Sequence, residues 1–433
     1  MGREEFLSRC GEVREAVKKF KKPVIVNHYD ADGLSSGALV AKAMKEMGKE
    51  YEIKTVKKVD EELVKELKGN EVVFVDLGGS APIVDELEDV VVIDHHQTKG
   101  GSALQANPHL FGLDGGTEIS ASGVAYCVFR TGVDLAIVGA IGDMQYPLVG
   151  MNGWIVEEGI REGAVRKEID LRLFGRTSRP LISMLLYADD PFLPGLTGNE
   201  GACASFLEGA GIELRDKEGK WRVYYDLSGE ERRKLIGELA RYLTERGLGG
   251  ITEGLVGEVY LLLKREKGTE LYDASEFSTL LNACGRNWKP EIGIGVCLGD
   301  EGAFREAKNL LAEHRKNLRN GIEFAGRKTE DYGGFLFLDG RGAIRDTIIG
   351  VIAGMLYWRE KPIIGIADDE KGGIKVSGRG KKELVEKGLN LGKVLGESSR
   401  AVGGDGGGHK IAAGANIPRD RLNDFLKEVG KRL

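Results

Sequence analysis

Long apolar runs are missing from this sequence. No stretch approaches the roughly 20 apolar residues of a membrane-spanning helix. The N-terminal segment, MGREEFLSRCGEVREAVKKFKK, reads as an amphipathic charged helix without the apolar centre of a signal peptide. Myristoylation after Met1-Gly2 wants Ser or Thr at position six, where this chain has Phe6. Cysteine is sparse: Cys10, Cys127, Cys203, Cys284 and Cys297 are scattered, odd in number and without a CxxC pair. That argues against a disulfide framework and a zinc site, and implies reduced thiols in a cytoplasmic protein. Glutamine is scarce while Glu, Lys and Arg are plentiful, a balance met in hyperthermophile proteins. An overall excess of positive charge is also lacking: the formal net charge is −6, which excludes a globally basic nucleic-acid binder. The charge is uneven, however. Residues 326–433 hold 20 Lys and Arg against 15 Asp and Glu, a local +5 that leaves −11 elsewhere. A basic region beside an acidic body can hold a polyanion, and acidic clusters can hold metals.

At 433 residues, with 41% hydrophobic and 30% charged, the chain is long enough for two or three folded domains. Apolar strands are expected at Pro23–Val26, Tyr51–Val56, Glu71–Val75 and Val90–Ile93, with helices over Leu34–Met47 and Glu61–Lys68 between them. This alternation predicts a mainly parallel sheet covered by helices on both faces. Helices near Glu118–Arg130 and Asp134–Ile141 lead to Gly142-Asp143. A turn-rich stretch with Pro180, Pro191 and Pro194 marks a boundary, after which helical patterns such as Gly229–Arg246 and Ala303–Phe324 dominate. The last segment returns to strands (Gly334–Leu338, Pro362–Ala367, Ile374–Ser377) and carries a glycine run from Gly403 to Gly408, followed by His409. The expected fold is therefore α/β in residues 1–195, mostly helical in 196–325 and a smaller α/β domain in 326–433.

Carboxylates and imidazoles are concentrated. Of six histidines, His28, His95 and His96 stand beside aspartates at predicted strand ends. Asp30, Asp32, Asp76 and Asp143 also follow apolar segments, and every such motif is read as lying at the carboxyl end of a strand, where parallel sheets place their sites. Singly, each residue has a bland reading: a hydrogen-bonded core histidine, a helix cap, an ordinary Asp-Gly turn. Together they pose a problem, because burying several carboxylates at one edge costs free energy and makes them repel. A pair of divalent cations resolves it. Mixed carboxylate and imidazole ligands suit Mn²⁺ better than Ca²⁺, with Mg²⁺ the second choice. Two such ions can bind a phosphate, activate water and stabilise a leaving oxygen.

His28-Tyr29-Asp30-Ala31-Asp32-Gly33, the strand-end Asp76, Asp94-His95-His96 and Gly142-Asp143 resemble, in order, the four motifs of the Asp-His-His (DHH) phosphoesterase superfamily. The resemblance implies metal ligation by His28, Asp30, Asp32, Asp76, His95 and Asp143, with Asp76 bridging both ions. It further implies that His96 faces the scissile phosphate as a proton donor, and that Asp94 orients an imidazole from behind the ligands. Many RecJ proteins carry Asp where this chain has His28.

The glycine run, with Lys410 to Gly414 behind it, resembles the DHHA1 companion domain that binds nucleic acid in RecJ-type and oligonucleotide-cleaving members. Gly406, Gly407 and Gly408 are read as a loop that lets backbone N–H groups approach phosphate, with His409 beside it. Ser377 and Arg379 match the family's substrate-binding Ser-x-Arg, in which Arg suits a terminal phosphate. Asn107, Pro108 and Ser120 to Tyr126 are read as structural, and His109 as a weak candidate for a substrate contact. The segment from Glu276 to Arg286 resembles the archaeal RecJ-like branch that includes GINS-associated nucleases. Within it Asn282 and Arg286 either touch nucleic acid or tie down a helix end. The resemblance implies a single-strand exonuclease in replication or repair, with its active site in an interdomain cleft. Single-stranded DNA cleaved 5′-to-3′ is the first-choice substrate and RNA the second, with GINS and the replicative helicase complex as partners. The alternatives are an oligoribonuclease or cyclic-dinucleotide phosphodiesterase, and a non-catalytic replisome scaffold.

Overall fold

Runs of β-branched residues build the first sheet. The computed structural model describes residues 2–98, 100–188, 191, 193–356, 360–369 and 372–433. Strands β1 (Val24–His28), β2 (Glu52–Val56), β3 (Val72–Val75), β4 (Val90–Ile93) and β5 (Leu104–Ala106) pair in parallel, in the order β2-β1-β3-β4-β5. β3 and β4 read VVFV and VVVI and are buried throughout, as central strands covered on both faces must be. Their side chains alternate between two cores. Ile25, Val73, Val75, Val91 and Ile93 join the helices Ala31–Glu46, Ala121–Phe129 and Val133–Gly142 on one face. Val24, Val26, Val72, Phe74, Val90 and Val92 pack against the helix Glu61–Leu67 on the other. From β1 the chain goes to β2 on one side and then to β3 on the opposite side, so the strand order reverses at β1. Open α/β sheets form a ligand crevice at that point, and there His28 closes β1 and Asp76 follows β3.

Two local assignments differ from the sequence reading. The helix after β1 starts at Ala31, ahead of the expected Leu34, because Asp30 caps it and accepts from the Gly33 N–H at 3.0 Å. Asp143 does not end a strand. It is the C-cap of the helix Val133–Gly142, whose sequence VDLAIVGAIG is apolar except for Asp134 and buried from Leu135 to Ile141.

Residues beyond this body build a second core. β6 (Val165–Leu171) pairs antiparallel with β7 (Val256–Leu262), from Val165 opposite Leu262 to Leu171 opposite Val256. Between them lies a helical segment with its own cluster, including Leu181, Met184 and Leu207. In the helix Gly229–Thr244, Leu235, Leu239 and Leu243 recur every fourth residue on the buried stripe, and Ser228 with Glu231 forms a capping box.

The remaining strands are β8 (Thr329–Asp331), β9 (Leu336–Asp339), β10 (Ile363–Asp368), β11 (Ile374–Arg379), β12 (Asp405–Gly408) and β13 (Ala412–Ile417). They form a mixed sheet in the order β12-β13-β11-β10-β9-β8, parallel only between β9 and β10. The glycine run expected as a loop is thus the edge strand β12. Packing explains Gly406: a Cβ there would come within 2.6 Å of Ala415 Cβ and 2.8 Å of Ser399 Oγ, on the helix Leu391–Ala401. The chain divides into two compact units, one ending at Leu311 and the other running from Ala312 to Leu433. The five cysteines are buried and free. Among the described residues, no helix is long and apolar enough to cross a membrane.

Candidate metal centre

Asp76 sits at the centre of the polar groups on the carboxyl edge of the first sheet. It follows β3 with a left-handed backbone (φ 61), a conformation Asp tolerates better than most residues. Its two carboxylate oxygens face different histidines: Oδ1 is 3.3 Å from His95 Nε2 and Oδ2 is 3.5 Å from His28 Nδ1. Around it, His28, Asp30 and Asp76 bring ligand atoms together on one side, and Asp32, His95 and Asp143 on the other, each group within 4.8 Å. Asp76, Asp94, His95 and His96 form a third such group.

Each ligand is held from behind. Asp32, 1% exposed, accepts from the Ala121 and Ser122 N–H groups at 2.7 and 3.0 Å, so the helix Ala121–Phe129 points its N-terminus at the carboxylate. His95 Nδ1 lies 2.7 Å from the Gly115 carbonyl. A carbonyl only accepts, so Nδ1 carries the proton in the neutral ring, and the Nε2 lone pair faces Asp76 and, at 4.0 Å, Asp32. A lone pair aimed at two carboxylates repels them unless positive charge lies between.

Carboxylate crowding also shifts the protonation of these groups. Burial, then repulsion from Asp76, pushes Asp32 up to about 7. Asp143 is pushed up to about 6 by burial and by Asp76 and Asp30. Burial disfavours the charged forms of His28 and His95, yet the surrounding aspartates, Asp30 foremost for His28 and Asp76 for His95, hold both well above the usual imidazole range. Burial also pushes Asp30 up, but His28 and the Gly33 N–H hold it well below the usual carboxylate range. These shifts share one cause, carboxylates crowded together out of water, and positive charge placed among them would relieve it. The nitrogen and oxygen donors present fit divalent ions, and a zinc-type thiolate set is absent from the groups found among the described residues.

His96 differs from these groups. Its side chain is 51% exposed, whereas Asp94 behind it is fully buried. Asp94 Oδ1 accepts from His96 Nδ1 at 2.8 Å and from the His95 N–H at 2.8 Å, while Oδ2 accepts from the Gly79 N–H at 2.8 Å. Burial lowers the His96 pKa, but the Asp94 hydrogen bond outweighs it and raises the imidazole to about 9. The arrangement presents an imidazolium to solvent beside the ligand cluster. Asn107 supports it by donating to the His96 carbonyl at 2.9 Å and accepting from the His109 N–H at 3.0 Å.

Sequence reasoning missed Gln145. Its Nε2 donates to Asp143 Oδ2 at 2.8 Å and to the Gly115 carbonyl at 2.8 Å, and its Oε1 accepts from Asn152 at 2.6 Å. It thus holds one ligand and the carbonyl that orients another. The signal available was a rare glutamine two residues after Asp143. The helix Ala274–Arg286, a buttress to the metal loop, was also underread. Asn282 Oδ1 accepts from the Ala31 N–H at 3.1 Å. A Cβ on Gly285 would lie 1.7 Å from the Tyr29 carbonyl oxygen, so only glycine lets this helix pack so closely between His28 and Asp30. The other end of the buttress is tied down by buried polar groups. Glu276 accepts from the Thr177 N–H and Oγ at 3.0 Å and from Ser178 Oγ. Asp273 caps the helix and pairs with Arg176, whose other neighbour, Asp170, lies 3.6 Å away.

The second unit presents the remaining candidates by itself. Ser377 in β11 is opposite Gly414 in β13, which is opposite Gly407 in β12, so the three share one sheet face. On that face a Cβ on Gly350, in the helix Asp346–Met355, would lie 2.7 Å from Arg379 Nη2 and 3.2 Å from Ser377 Oγ. Among the described residues nothing approaches within 4 Å of a Cβ built on Gly407, and His409 beyond it is exposed.

Three family profiles match successive parts of the chain: the DHH family N-terminal domain over residues 22–143, the DHH-CID domain over 173–253 and the DHHA1 domain over 336–433. An uncharacterized protein of Methanocaldococcus jannaschii is 32% identical, over 98% of each chain. CDC45 from Entamoeba histolytica has the same fold, with a TM-score of 0.64, 14% identity, and coverage of 99% of this chain and 98% of that one. RecJ from Thermus thermophilus, crystallised with Mn²⁺, matches with a TM-score of 0.60 and 18% identity. That match covers 99% of this chain and 54% of the RecJ chain, so this protein spans about half its length.

Proposed function

Because this chain belongs to the DHH/DHHA1 phosphoesterase superfamily, we propose that it is a metal-dependent, RecJ-like exonuclease that hydrolyses phosphodiester bonds of single-stranded DNA in the 5′-to-3′ direction. The observation that carries this reading is the completeness of the ligand set. His28, Asp30, Asp32, Asp76, His95 and Asp143 all contribute to groups able to hold a cation. A replisome scaffold has no use for it, and the CDC45 likeness concerns fold alone.

His28, Asp30 and Asp76 would hold one ion and Asp32, His95 and Asp143 the other, with Asp76 offering an oxygen to each. When bound, a pair of Mn²⁺ ions supplies Lewis acidity toward the phosphoryl oxygens and acidifies the attacking water. The chain's own residues do the rest. His96, charged through its bond to Asp94, meets the phosphate and delivers a proton toward the leaving oxygen. Asp94 keeps the ring oriented and compensates its charge. Gln145 and Gly115 keep His95 in the tautomer that presents Nε2. Ser377, Arg379, the glycine strand Gly406–Gly408 and His409 would bind the strand, with Arg379 suited to two oxygens of one phosphate.

The test uses Mn²⁺ and single-stranded DNA labelled at its 5′ or 3′ end, with RNA in parallel. The wild-type chain should release nucleotides from the 5′ end. The double variant Asp30→Ala plus Asp32→Ala should lose at least about 10³-fold in rate, as expected when groups that stabilise transition-state charge are removed. Activity surviving in that variant would remove the site assignment. Turnover confined to dinucleotides would replace the exonuclease with the small-substrate alternative.

A further inference from the structure

Beyond the ligands, the same sheet edge carries an aromatic pair that the mechanism does not use. Tyr29, between His28 and Asp30, lies 4.5 Å from the His28 ring and 5.2 Å from the Trp288 ring, with the Tyr29 and Trp288 planes tilted by 35°. Lys57 Nζ stands 4.3 Å over the indole. β2 ends at Val56 opposite His28, so Lys57 extends the sheet edge on the side of β1 away from β3. Tyr29, Trp288 and Lys57 are all partly exposed.

Trp288 is kept there at two costs to the fold. It adopts φ 54 just after Asn287, the C-cap of the buttress helix, a position that glycine ordinarily fills. Its N–H donates to the Gly285 carbonyl at 3.0 Å, and the Lys289 N–H bonds the Cys284 carbonyl at 3.0 Å, so the left-handed turn belongs to the helix terminus. The indole N–H is buried and finds no acceptor among the described residues. A bulky side chain in the left-handed region and an orphaned donor both disfavour tryptophan for stability. Such penalties concentrate where a residue is retained for binding.

We propose that Tyr29, Trp288 and Lys57 form a nucleobase-stacking subsite beside the metal ligands, taking the base next to the cleaved phosphodiester. This deepens the nucleic-acid reading above and rests on it. Every base offers a π face, so the indole holds the strand without regard to sequence, and Lys57 moves from the ring to the phosphate of the stacked nucleotide. Pyrophosphate, which lacks a base, would leave the platform idle.

The experiment measures anisotropy of 5′-phosphorylated, fluorescein-labelled oligothymidine on the full chain, with Ca²⁺ in place of Mn²⁺ to slow turnover. The intact strand is compared with strands in which one abasic residue is moved inward from either end. On the wild type, an abasic residue at one terminal position should weaken binding about 10- to 100-fold. Trp288→Gly, which suits the left-handed backbone, should weaken the intact strand to the same degree and erase the abasic difference, whereas Trp288→Phe should retain both. Mn²⁺ affinity, read from the EPR signal of free Mn²⁺, should not change in either variant. Equal binding of intact and abasic strands by the wild type would overturn the stacking subsite while leaving the nucleic-acid reading in place. So would discrimination that survives in Trp288→Gly. If the wild type bound no strand at all, both readings would fall. The abasic comparison needs no variant, so the outcome stands even if Trp288→Gly misfolds.

Discussion

Gln145 shows how much of the centre depends on one uncharged side chain. Its amide group joins Asp143 to the carbonyl that sets the His95 tautomer, and it is 3% exposed. Replacing it with leucine keeps the volume, frees Asp143 to rotate and leaves the Gly115 carbonyl with one donor fewer. Gln145→Leu should lower Mn²⁺ affinity by about 10- to 100-fold, the usual cost of removing a group behind a metal ligand. Calorimetric Mn²⁺ titration, with a melting curve to confirm folding, checks this. Unchanged affinity would mean that Gln145 only fills space. Histidine and aspartate announce themselves as ligands by type, but glutamine has no such signature, and its role depended on where Gly115 and Asn152 came to lie.

Among the elements, the buttress helix Ala274–Arg286 matters most. One end packs on the Tyr29 carbonyl and bonds the Ala31 N–H, while the other is held by Glu276 and Asp273 against Arg176, Thr177 and Ser178. Glu276 makes the tie pH-dependent. Burial, then the charge of Asp273, raises its pKa from 4.5 to about 7. The folded chain therefore keeps a proton between pH 4.5 and about 7 that the unfolded chain has released. Stability from this group is fully present below pH 4.5 and is withdrawn as pH rises through about 7. Glu276→Gln, which cannot ionise, should flatten that part of the pH dependence and leave the variant relatively more stable at the alkaline end. Melting temperatures of both proteins across this range decide it, and parallel curves would remove Glu276 as the source. For Asn282, the sequence left open a role in nucleic-acid binding or at a helix end. Its acceptor oxygen is engaged by the metal loop, a contact that spans 251 residues and has no local trace.

At the scale of the whole molecule, charge separates the readings. The net charge is −6, yet residues 326–433 carry a local +5. A strand held by that region should bind with strong salt dependence, the logarithm of affinity falling by about 0.7 per phosphate neutralised for each decade of salt. Affinity should also rise steeply as the strand lengthens from a dinucleotide. Anisotropy titrations over salt and strand length check this. Binding that ignored both variables would favour a small-substrate phosphodiesterase.

What the sequence determined by itself is the part written in short segments. VVFV and VVVI, short and rich in β-branched residues, read as strands, and His28 to Gly33 and Asp94 to His96 bring ligand types together within a few residues, so sheet and chemistry were legible before any contact was known. The tertiary structure decided what depends on distant partners. The helix that ends at Asp143 was expected from the sequence, and the tertiary structure brought its end beside Asp32 and His95. It turned the glycine run into an edge strand against a helix, and it brought Gln145 to the Gly115 carbonyl and Asn282 and Trp288 to the metal loop. Those positions follow from packing between segments far apart in the chain, and no local pattern encodes them.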